Sequence, residues 1–199
     1  MKTSKNDFLI YKNASGELER SPVIVENMEI GKGKTGIVSL WEANTGNELG
    51  FVTYSLTENN NKKSLQFEGL TSHVEGKSVG TKLVLELINL SKRYGAEGVL
   101  TAQASFSSES KILRPKTNIP FYYKLGFRAT DPKKDAEIQK CGDNIPLRLN
   151  VFTAIELSKE AATALEQKEA AKRQAFANQN APKTLTPAQM KLAKKELHQ

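Results

Sequence analysis

The sequence predicts an α/β domain followed by a helical or partly disordered C-terminal extension. In the first half, short segments rich in β-branched and aromatic residues alternate with turn residues, which is typical of strands. At Val79 the hydrophobic period lengthens to three and four residues, which is typical of a helix. From Ser158 the composition shifts to Ala, Glu, Lys and Gln, which favour helix. We therefore divide the 199 residues into a domain, residues 1–157, and a basic extension, residues 158–199.

The predicted strands of the first half are separated by clusters of Asn, Gly, Ser and Thr, which favour tight turns. In the fifth strand, alternation places Gln66, Glu68 and Leu70 on one face. Leu65 and Phe67 then lie on the other face. The predicted strands are Phe8–Lys12, Pro22–Ile30, Gly36–Ala43, Leu49–Leu56 and Ser64–Thr71.

A helix follows, and its hydrophobic stripe is a strong periodic signal. The stripe ends at Gly95, a residue that commonly stops a helix, directly after basic residues in the last turn. Further along we predict a strand at Gly98–Ala104, a short helix from Pro120 to Gly126 and a strand at Leu147–Leu157. The stripe consists of Val79, Leu83, Leu87, Leu90 and Tyr94.

Composition excludes several classes of protein. No apolar run approaches the ~18 residues of a membrane-spanning helix. The basic N-terminus lacks the apolar stretch of a secretory signal. A single cysteine, Cys141, excludes an internal disulfide and a Cys-rich zinc site. We therefore expect a cytoplasmic protein without a bound metal.

The C-terminal extension is basic. Residues 158–199 hold eight Lys or Arg residues against four Glu, within a net charge of +7 for the chain. Such a tail can attract nucleic acid, an acidic partner or an anionic membrane surface, although a solvated helix has the same composition. Phe176 is its only aromatic residue, so stacking on single-stranded nucleic acid has little support. An amphipathic helix here could also dock on the domain or on a second copy of the chain, forming a homodimer.

Glycines punctuate the start of the predicted helix, in the segment Val74–Leu83. Gly76–Ser78 matches the end of a P-loop, but Thr71 stands where that motif needs its first glycine. Gly33–Thr35 fails in the same way, with Met28 at the required position. A strand followed by a turn and a helix still leaves backbone N–H groups free at the positive end of the helix dipole, which favours binding of an anion.

Two segments resemble motifs of the GCN5-related N-acetyltransferases, the GNAT superfamily. Glu75–Gly80 resembles the family's pyrophosphate turn, Q/R-x-x-G-x-G/A, with Glu75 and Ser78 replacing the usual Gln/Arg and the middle glycine. Pro120–Phe127 resembles the family's closing segment, a turn of helix that leads into a strand. The resemblance covers roughly Gly36–Leu157. It implies a mixed, largely antiparallel sheet in which two neighbouring strands splay apart.

The resemblance also implies acetyl-CoA as the acetyl donor. The splayed strands would be Ser64–Thr71 and Gly98–Ala104, with the pantetheine in the gap between them. Backbone groups of Leu70, Thr71 and Ser72 would meet the pantetheine. Glycine would allow a close approach of the diphosphate to the turn. The residues of this cradle would be Gly76, Lys77, Ser78, Val79, Gly80 and Thr81.

The implied chemistry is direct attack of an amine on the thioester. Tyr122 occupies the position of the family's general acid and would protonate the leaving thiolate, with packing alone as its alternative role. Glu68 is the candidate base, acting directly or through water, unless it simply faces solvent. His73 is a surface residue or a CoA contact in this interpretation. A backbone N–H on the strand of Leu70 would stabilise the oxyanion.

The functional hypothesis is an N-acetyltransferase that moves an acetyl group from acetyl-CoA to an amine. The alternative is a catalytically weak binding module of the same fold that acts through its basic C-terminal tail. The sequence differs from the family at two places. Residues 1–35 are predicted as strands where the family has two helices, and Lys116 replaces an Asn that often contacts CoA.

Overall fold

A computed structural model of the chain describes residues 1–31, 35–59, 62–104, 118–142, 145 and 153–181. The described strands form one sheet in the order β1-β2-β3-β4-β5-β6-β8-β7. They are β1 (Lys2–Lys12), β2 (Leu18–Ile30), β3 (Thr35–Glu42), β4 (Glu48–Asn59), β5 (Lys62–Ser72), β6 (Leu100–Ala104), β7 (Arg128–Ala129) and β8 (Thr153–Leu157). The described helices are α1 (Val79–Arg93), α2 (Ile119–Lys124), α3 (Pro132–Cys141) and α4 (Lys159–Gln179). No helix within these ranges is long and apolar enough to cross a membrane.

Strands β1 to β5 form an antiparallel meander. The turn between β1 and β2 is held by Asn13, whose side-chain oxygen accepts hydrogen bonds from the backbone N–H groups of Ser15 (3.0 Å) and Glu17 (2.9 Å). Both strands begin earlier than predicted, β1 at Lys2 and β2 at Leu18. Their additional residues are mostly polar and exposed, so backbone pairing forms them without an alternating hydrophobic signal.

Helix α1 connects β5 to β6, and these two strands pair in parallel only between Leu65 and Phe67 of β5. Beyond Phe67 they separate, although β5 runs on to Ser72. Strand β6 pairs with β8 in antiparallel fashion along its whole length. The predicted fold class is therefore confirmed, since the mixed, largely antiparallel sheet and its splayed strand pair are those of the GNAT fold.

A β-bulge at Gly69 breaks the alternation of β5. Gly69 has a φ of 60°, and together with Leu70 it lies opposite the single residue Val52 of β4. The bulge turns Leu70 towards the helices, where it packs on the core, whereas Glu68 stays on the other face with its pairing partner Thr53. The prediction that Glu68 and Leu70 share a face is wrong because it assumed an unbroken period of two.

The hydrophobic core lies between one face of the sheet and the helices. On β5, β6 and β8, buried residues alternate with more exposed polar ones such as Gln66, Thr101 and Glu156. The predicted stripe of α1 is buried from Val79 to Leu90. Each described helix also contributes a buried side chain to this core, with Leu83, Tyr122, Ile138 and Leu165 as examples.

Helix α1 buries two charged residues that its hydrophobic stripe does not predict, Lys82 and Glu86. The Lys82 ammonium lies 2.5 Å from Asp7 Oδ2 of β1 and 2.7 Å from Glu86 Oε1. Lys5 of β1 adds a second cation, 2.8 Å from Glu86 Oε2. These ion pairs replace the water that the buried charges have lost, and they join α1 to the edge strand.

The start of the C-terminal extension is attached to the domain. Ser158 caps α4 by accepting a hydrogen bond from the Ala161 N–H at 3.2 Å. Ala162 and Leu165 of α4 are buried in the core. A Cβ on Gly98 would lie 3.2 Å from the Ala162 Cβ, so the chain approaches the helix closely. The division at residues 157 and 158 stays a prediction, but the first turns of the extension contribute to the core.

Strand β7 directly follows Phe127, where the resemblance implies a strand, whereas helix α3 was not predicted. Helix α3 starts at a recognisable signal, because Asp131 accepts a hydrogen bond from the Lys133 N–H at 2.9 Å and Pro132 occupies the first turn. The predicted strand Leu147–Leu157 is described from Thr153 onwards. The predicted loop at residues 105–117, with Lys116, and the tail after Ala181 lie outside the described residues.

Candidate active site

A cleft with a volume of about 580 Å³ opens where β5 and β6 separate. It runs from the splayed strands to the start of α1 and is bordered by α2. Both faces of the sheet contribute, since Phe67 belongs to the buried face and Gln103 to the exposed one. The lining residues are Phe67, Glu68, Gly69, Leu70, Thr71, Ser72, Val74, Glu75, Gly76, Ser78, Val79, Gly80, Thr81, Ala102, Gln103, Asn118, Phe121 and Tyr122.

The cleft brings together the predicted site residues with one exception. Tyr122, Glu68, the Leu70–Ser72 segment and the turn around Gly76 line the same space. Lys77 does not line the cleft; its ammonium lies 6.0 Å from the centre of the Tyr11 ring. The structure thus makes these residues neighbours, while their roles stay predictions.

The cleft meets the beginning of α1 at an uncapped helix N-terminus. Ser78 precedes the helix with a φ of 61°, and its side chain makes no capping hydrogen bond. The first helical hydrogen bond runs from the Lys82 N–H to the Ser78 carbonyl at 3.0 Å. The N–H groups of Val79, Gly80 and Thr81 therefore have no partner within the helix, and the helix dipole is positive at this end.

The structure requires glycine at positions 76 and 80 for two different reasons. Gly76 has a φ of 76°, a backbone conformation that residues with a side chain rarely adopt. Gly80 is buried, and a Cβ there would lie 2.9 Å from Phe121 Cζ. Gly80 thus permits contact between α1 and α2, a requirement that a phosphate-binding motif does not reveal. A larger residue at position 80 would disturb packing as well as any ligand.

Tyr122 lies in an aromatic cluster at the cleft. It is 6% exposed, and its ring centre lies 5.9 Å from that of Phe67, 5.2 Å from that of Phe121 and 5.4 Å from that of Phe127. Burial raises the pKa of Tyr122 to about 12. Within the described part of the chain, no hydrogen bond reaches its hydroxyl. The hydroxyl is therefore protonated at neutral pH and available to a ligand.

The neighbouring Tyr123 differs from Tyr122 because its hydroxyl is fully engaged. It donates to Asp135 Oδ1 at 2.6 Å and accepts from the Ala129 N–H at 3.0 Å. The Arg128 guanidinium lies 5.1 Å from the centre of its ring. Tyr123 thus anchors α2 to β7 and α3, as expected for residues that leave a helix in different directions.

Glu68 lies on the exposed face of the sheet at the cleft. Its side chain is exposed, and the Gln66 amide approaches its Oε1 at 3.5 Å. Its backbone carbonyl accepts a hydrogen bond from Thr53 Oγ1 at 2.8 Å, which holds β5 against β4 beside the bulge. Tyr122 on the buried side and Glu68 on the exposed side thus flank the cleft from opposite faces of the sheet.

His73 stands apart from the cleft. Its Nε2 lies 3.5 Å from Glu48 Oε1, and its ring centre lies 6.2 Å from that of Phe51. Its side chain is exposed, so the surface role is the better description of this residue.

Several lining residues were not predicted from the sequence. Phe121 directly precedes Tyr122 in the recognised segment, and Gln103 is a polar residue at an outward position of β6, so both carried a weak signal. Asn118 also carried a weak signal, since it lies two residues after Lys116, the position where the GNAT superfamily often has an Asn that contacts CoA. No group of three or more His, Cys, Asp or Glu among the described residues could hold a metal ion.

Comparison with known proteins yields only a distant likeness. No protein-family model matches the chain, and no curated protein matches it. The similar solved structures include nourseothricin acetyltransferase, at 17% identity over 65% of this chain and 73% of that chain, with a TM-score of 0.39.

Two further similar structures belong to chains of which this chain covers a smaller share. One is a GCN5-related glucosamine N-acetyltransferase region of a fungal multi-domain beta-N-acetylglucosaminidase, at 20% identity over 53% of this chain and 15% of that chain, with a TM-score of 0.38. The other is N-acetylglutamate synthase from Neisseria gonorrhoeae in complex with coenzyme A and N-acetyl-glutamate, at 12% identity over 60% and 24%, with a TM-score of 0.37. The identification of the fold rests on the strand order and the splayed pair, not on these values.

Proposed function

We propose that the protein is an N-acetyltransferase that moves an acetyl group from acetyl-CoA to an amine acceptor. One observation carries the proposal. A single cleft contains an uncapped helix N-terminus, a strand edge without a partner among the described strands, and a buried tyrosine whose hydroxyl has no hydrogen-bond partner among the described residues. These three groups suit the diphosphate, the pantetheine and the departing thiolate of an acyl-CoA, in that order.

The donor would lie along the second half of β5. From Glu68 to Ser72 this strand has lost its β6 partner, so backbone groups on that edge can pair with the amides of pantetheine. The turn from Gly76 to Thr81 would take the diphosphate, since helix N–H groups bind anions without a charged side chain. The aromatic cluster around Tyr122 would exclude water from the thioester.

The acceptor amine would attack the carbonyl carbon of the thioester. A C–N bond forms, the C–S bond breaks, and a backbone N–H on the open edge of β5 stabilises the oxyanion between these events. Glu68 takes the proton of the amine directly or through water. Tyr122, whose hydroxyl is protonated at neutral pH, donates its proton to the departing thiolate.

A binding experiment tests the proposal at its first step. Acetyl-CoA should bind the purified protein in a calorimeter, and CoA should be released when a panel of amines is added. Ser78→Asp should weaken binding about tenfold, because it sets a carboxylate beside the diphosphate. Ser78→Asn is the matched control, since it has the same size without the charge and also tolerates a positive φ.

Equal affinities of the two Ser78 variants would contradict a diphosphate at this turn. Binding without CoA release for any amine would favour a binding module instead of an enzyme. Gly80→Asp would not separate these outcomes, because its side chain would collide with Phe121.

A further inference from the structure

A lysine from the C-terminal helix contacts Ser78, a residue that lines the cleft at the beginning of α1. The Lys172 ammonium lies 3.4 Å from the Ser78 hydroxyl oxygen, although the two residues are 94 positions apart. Ser78 lines the cleft and directly precedes the first turn of α1. The Lys172 side chain is only 25% exposed, so it is held against the protein instead of extending into solvent.

The position of Lys172 is set by the docking of α4. Leu165 fixes the helix in the core, and Glu166 pairs with Lys92 at the far end of α1 at 2.6 Å. Immediately after Lys172, Arg173 pairs with Asp7 of β1 at 3.2 Å. Lys172 therefore lies between two anchored stretches, and its ammonium reaches Ser78 as a consequence of how the helix packs.

The charge of Lys172 is only partly compensated. Its nearest carboxylate in the described part of the chain belongs to Glu169, at 3.7 Å, and that group is shared with Arg173 at 3.8 Å. Ser78 is neutral and offers the ammonium one hydroxyl oxygen. An ammonium has three donors, so further anionic oxygens at this place would find unused hydrogen-bonding capacity as well as charge.

We propose that Lys172 binds a phosphate oxygen of the donor, so that α4 is part of the acyl-CoA site. This inference rests on the proposed function, because the phosphate in question is that of the acyl-CoA. The extension then contributes a residue to the donor site, because the Lys172 ammonium binds an anionic group of the small-molecule donor. Glu169 and Ser78 both contact the ammonium and orient it before the ligand binds.

Substitution of Lys172 tests the inference by calorimetry with CoA. Lys172→Gln should weaken CoA binding about tenfold, because a charge-assisted hydrogen bond is lost. The dependence of its Kd on NaCl concentration should also become shallower, since one fewer cation contacts the ligand. Lys172→Arg should restore most of the affinity. The matched control is Lys168→Gln, which makes the same charge change one turn earlier at an exposed position of α4.

The outcomes separate this inference from the proposed function. If the unsubstituted protein binds CoA and Lys172→Gln binds as tightly as Lys168→Gln, the role of Lys172 is overturned and the proposed function stands. Equal weakening in both variants would also overturn it, because the effect would then come from net charge at a distance. If the unsubstituted protein does not bind CoA at all, the proposed function and this inference both fall. Thermal melts of all variants should coincide within a few degrees.

Discussion

The two halves of strand β5 have the same neighbour on one side and differ on the other. From Lys62 to Phe67 the strand pairs with β4, and from Leu65 it also pairs with β6. From Glu68 to Ser72, a segment that contains the bulge at Gly69, β4 is its only partner among the described strands. The first half carries Leu65 and Phe67, both almost fully buried, whereas the second half lines the cleft.

The difference shows how one strand can contribute both to stability and to a binding site. Pairing on both edges satisfies the backbone of the first half and fixes its side chains in the core. The second half keeps its register through β4, so its free edge can face a ligand without loss of the fold. The bulge also sets Glu68 and Leu70 on opposite faces, which places a carboxylate at the exposed mouth and an apolar side chain at the helix side.

The largest effect is expected for Tyr122→Phe. Tyr122 lies beside Phe67, the last residue of the first half of β5. The ring, which packs on Phe67, is conserved and only the hydroxyl is lost. We expect kcat to fall by roughly 10²–10⁴-fold, since a general acid is removed. The Kd of acetyl-CoA should change little. Steady-state kinetics and calorimetry measure the two quantities.

The control for that variant is Tyr123→Phe. It removes hydrogen bonds to Asp135 and Ala129, so it should lower the melting temperature and leave kcat unchanged. Normal turnover in Tyr122→Phe would reduce that residue to a packing role.

Leucine truncations compare the two halves directly. Leu65→Ala should reduce the free energy of unfolding by about 2–5 kcal/mol, because Leu65 is fully buried and leaves a cavity. Leu70→Ala, at a half-buried position beyond the bulge, should cost about 1 kcal/mol and raise the KM for acetyl-CoA. Urea unfolding and initial rates measure these effects. Equal losses of stability would mean that the second half is as much a part of the core as the first.

Glu68→Gln examines the exposed mouth of the cleft. The amide has the shape of the carboxylate but accepts no proton, so kcat should fall by about 10²-fold. Glu156→Gln, on the same face of the sheet at β8, is the control and should leave kcat unchanged. An unaltered kcat in Glu68→Gln would assign Glu68 to solvent and the proton transfer to another group.

The smallest expected effect concerns Asp7 of the edge strand β1. Burial acts to raise its pKa, but hydrogen bonds from Lys82 and the Phe8 N–H, with the charges of Lys82 and Arg173, lower the pKa below the ordinary 3.8. The carboxylate therefore stabilises the fold above pH ~3.8, and this contribution is lost as the pH falls towards the native pKa. Urea unfolding between pH 3 and 6 measures the loss.

The same titration in two variants isolates the contribution of Asp7. Asp7→Asn should be less stable at neutral pH and show a flatter profile below pH ~4. Glu17→Gln, at an exposed turn, should follow the unsubstituted protein. A profile for Asp7→Asn as steep as that of the unsubstituted protein would assign the acid sensitivity to other carboxylates.

Local chemistry made much of this fold predictable from the sequence. Alternating β-branched residues indicated the first five strands, and the spacing of leucines indicated α1. These signals are local, since each depends on residues a few positions apart. Helix α3 also had a local signal, Asp131 followed by Pro132, which is a capping signal and not a hydrophobic period. The sequence motifs around Gly76 and Tyr122 likewise indicated which segments would approach each other.

Only the tertiary structure decided where those segments meet and which way their side chains face. Leu70 and Glu68 lie on opposite faces because Val52 of β4 stands opposite two residues of β5. That register depends on the neighbouring strand and not on the sequence of β5 alone. Lys82 could be buried because Asp7 lies beside it, and Lys172 reaches Ser78 because α4 docks through Leu165. Each of these contacts joins residues far apart in the chain, where no periodicity or spacing connects them. Pairing energies between distant elements, not local preference, therefore determined the shape of the cleft.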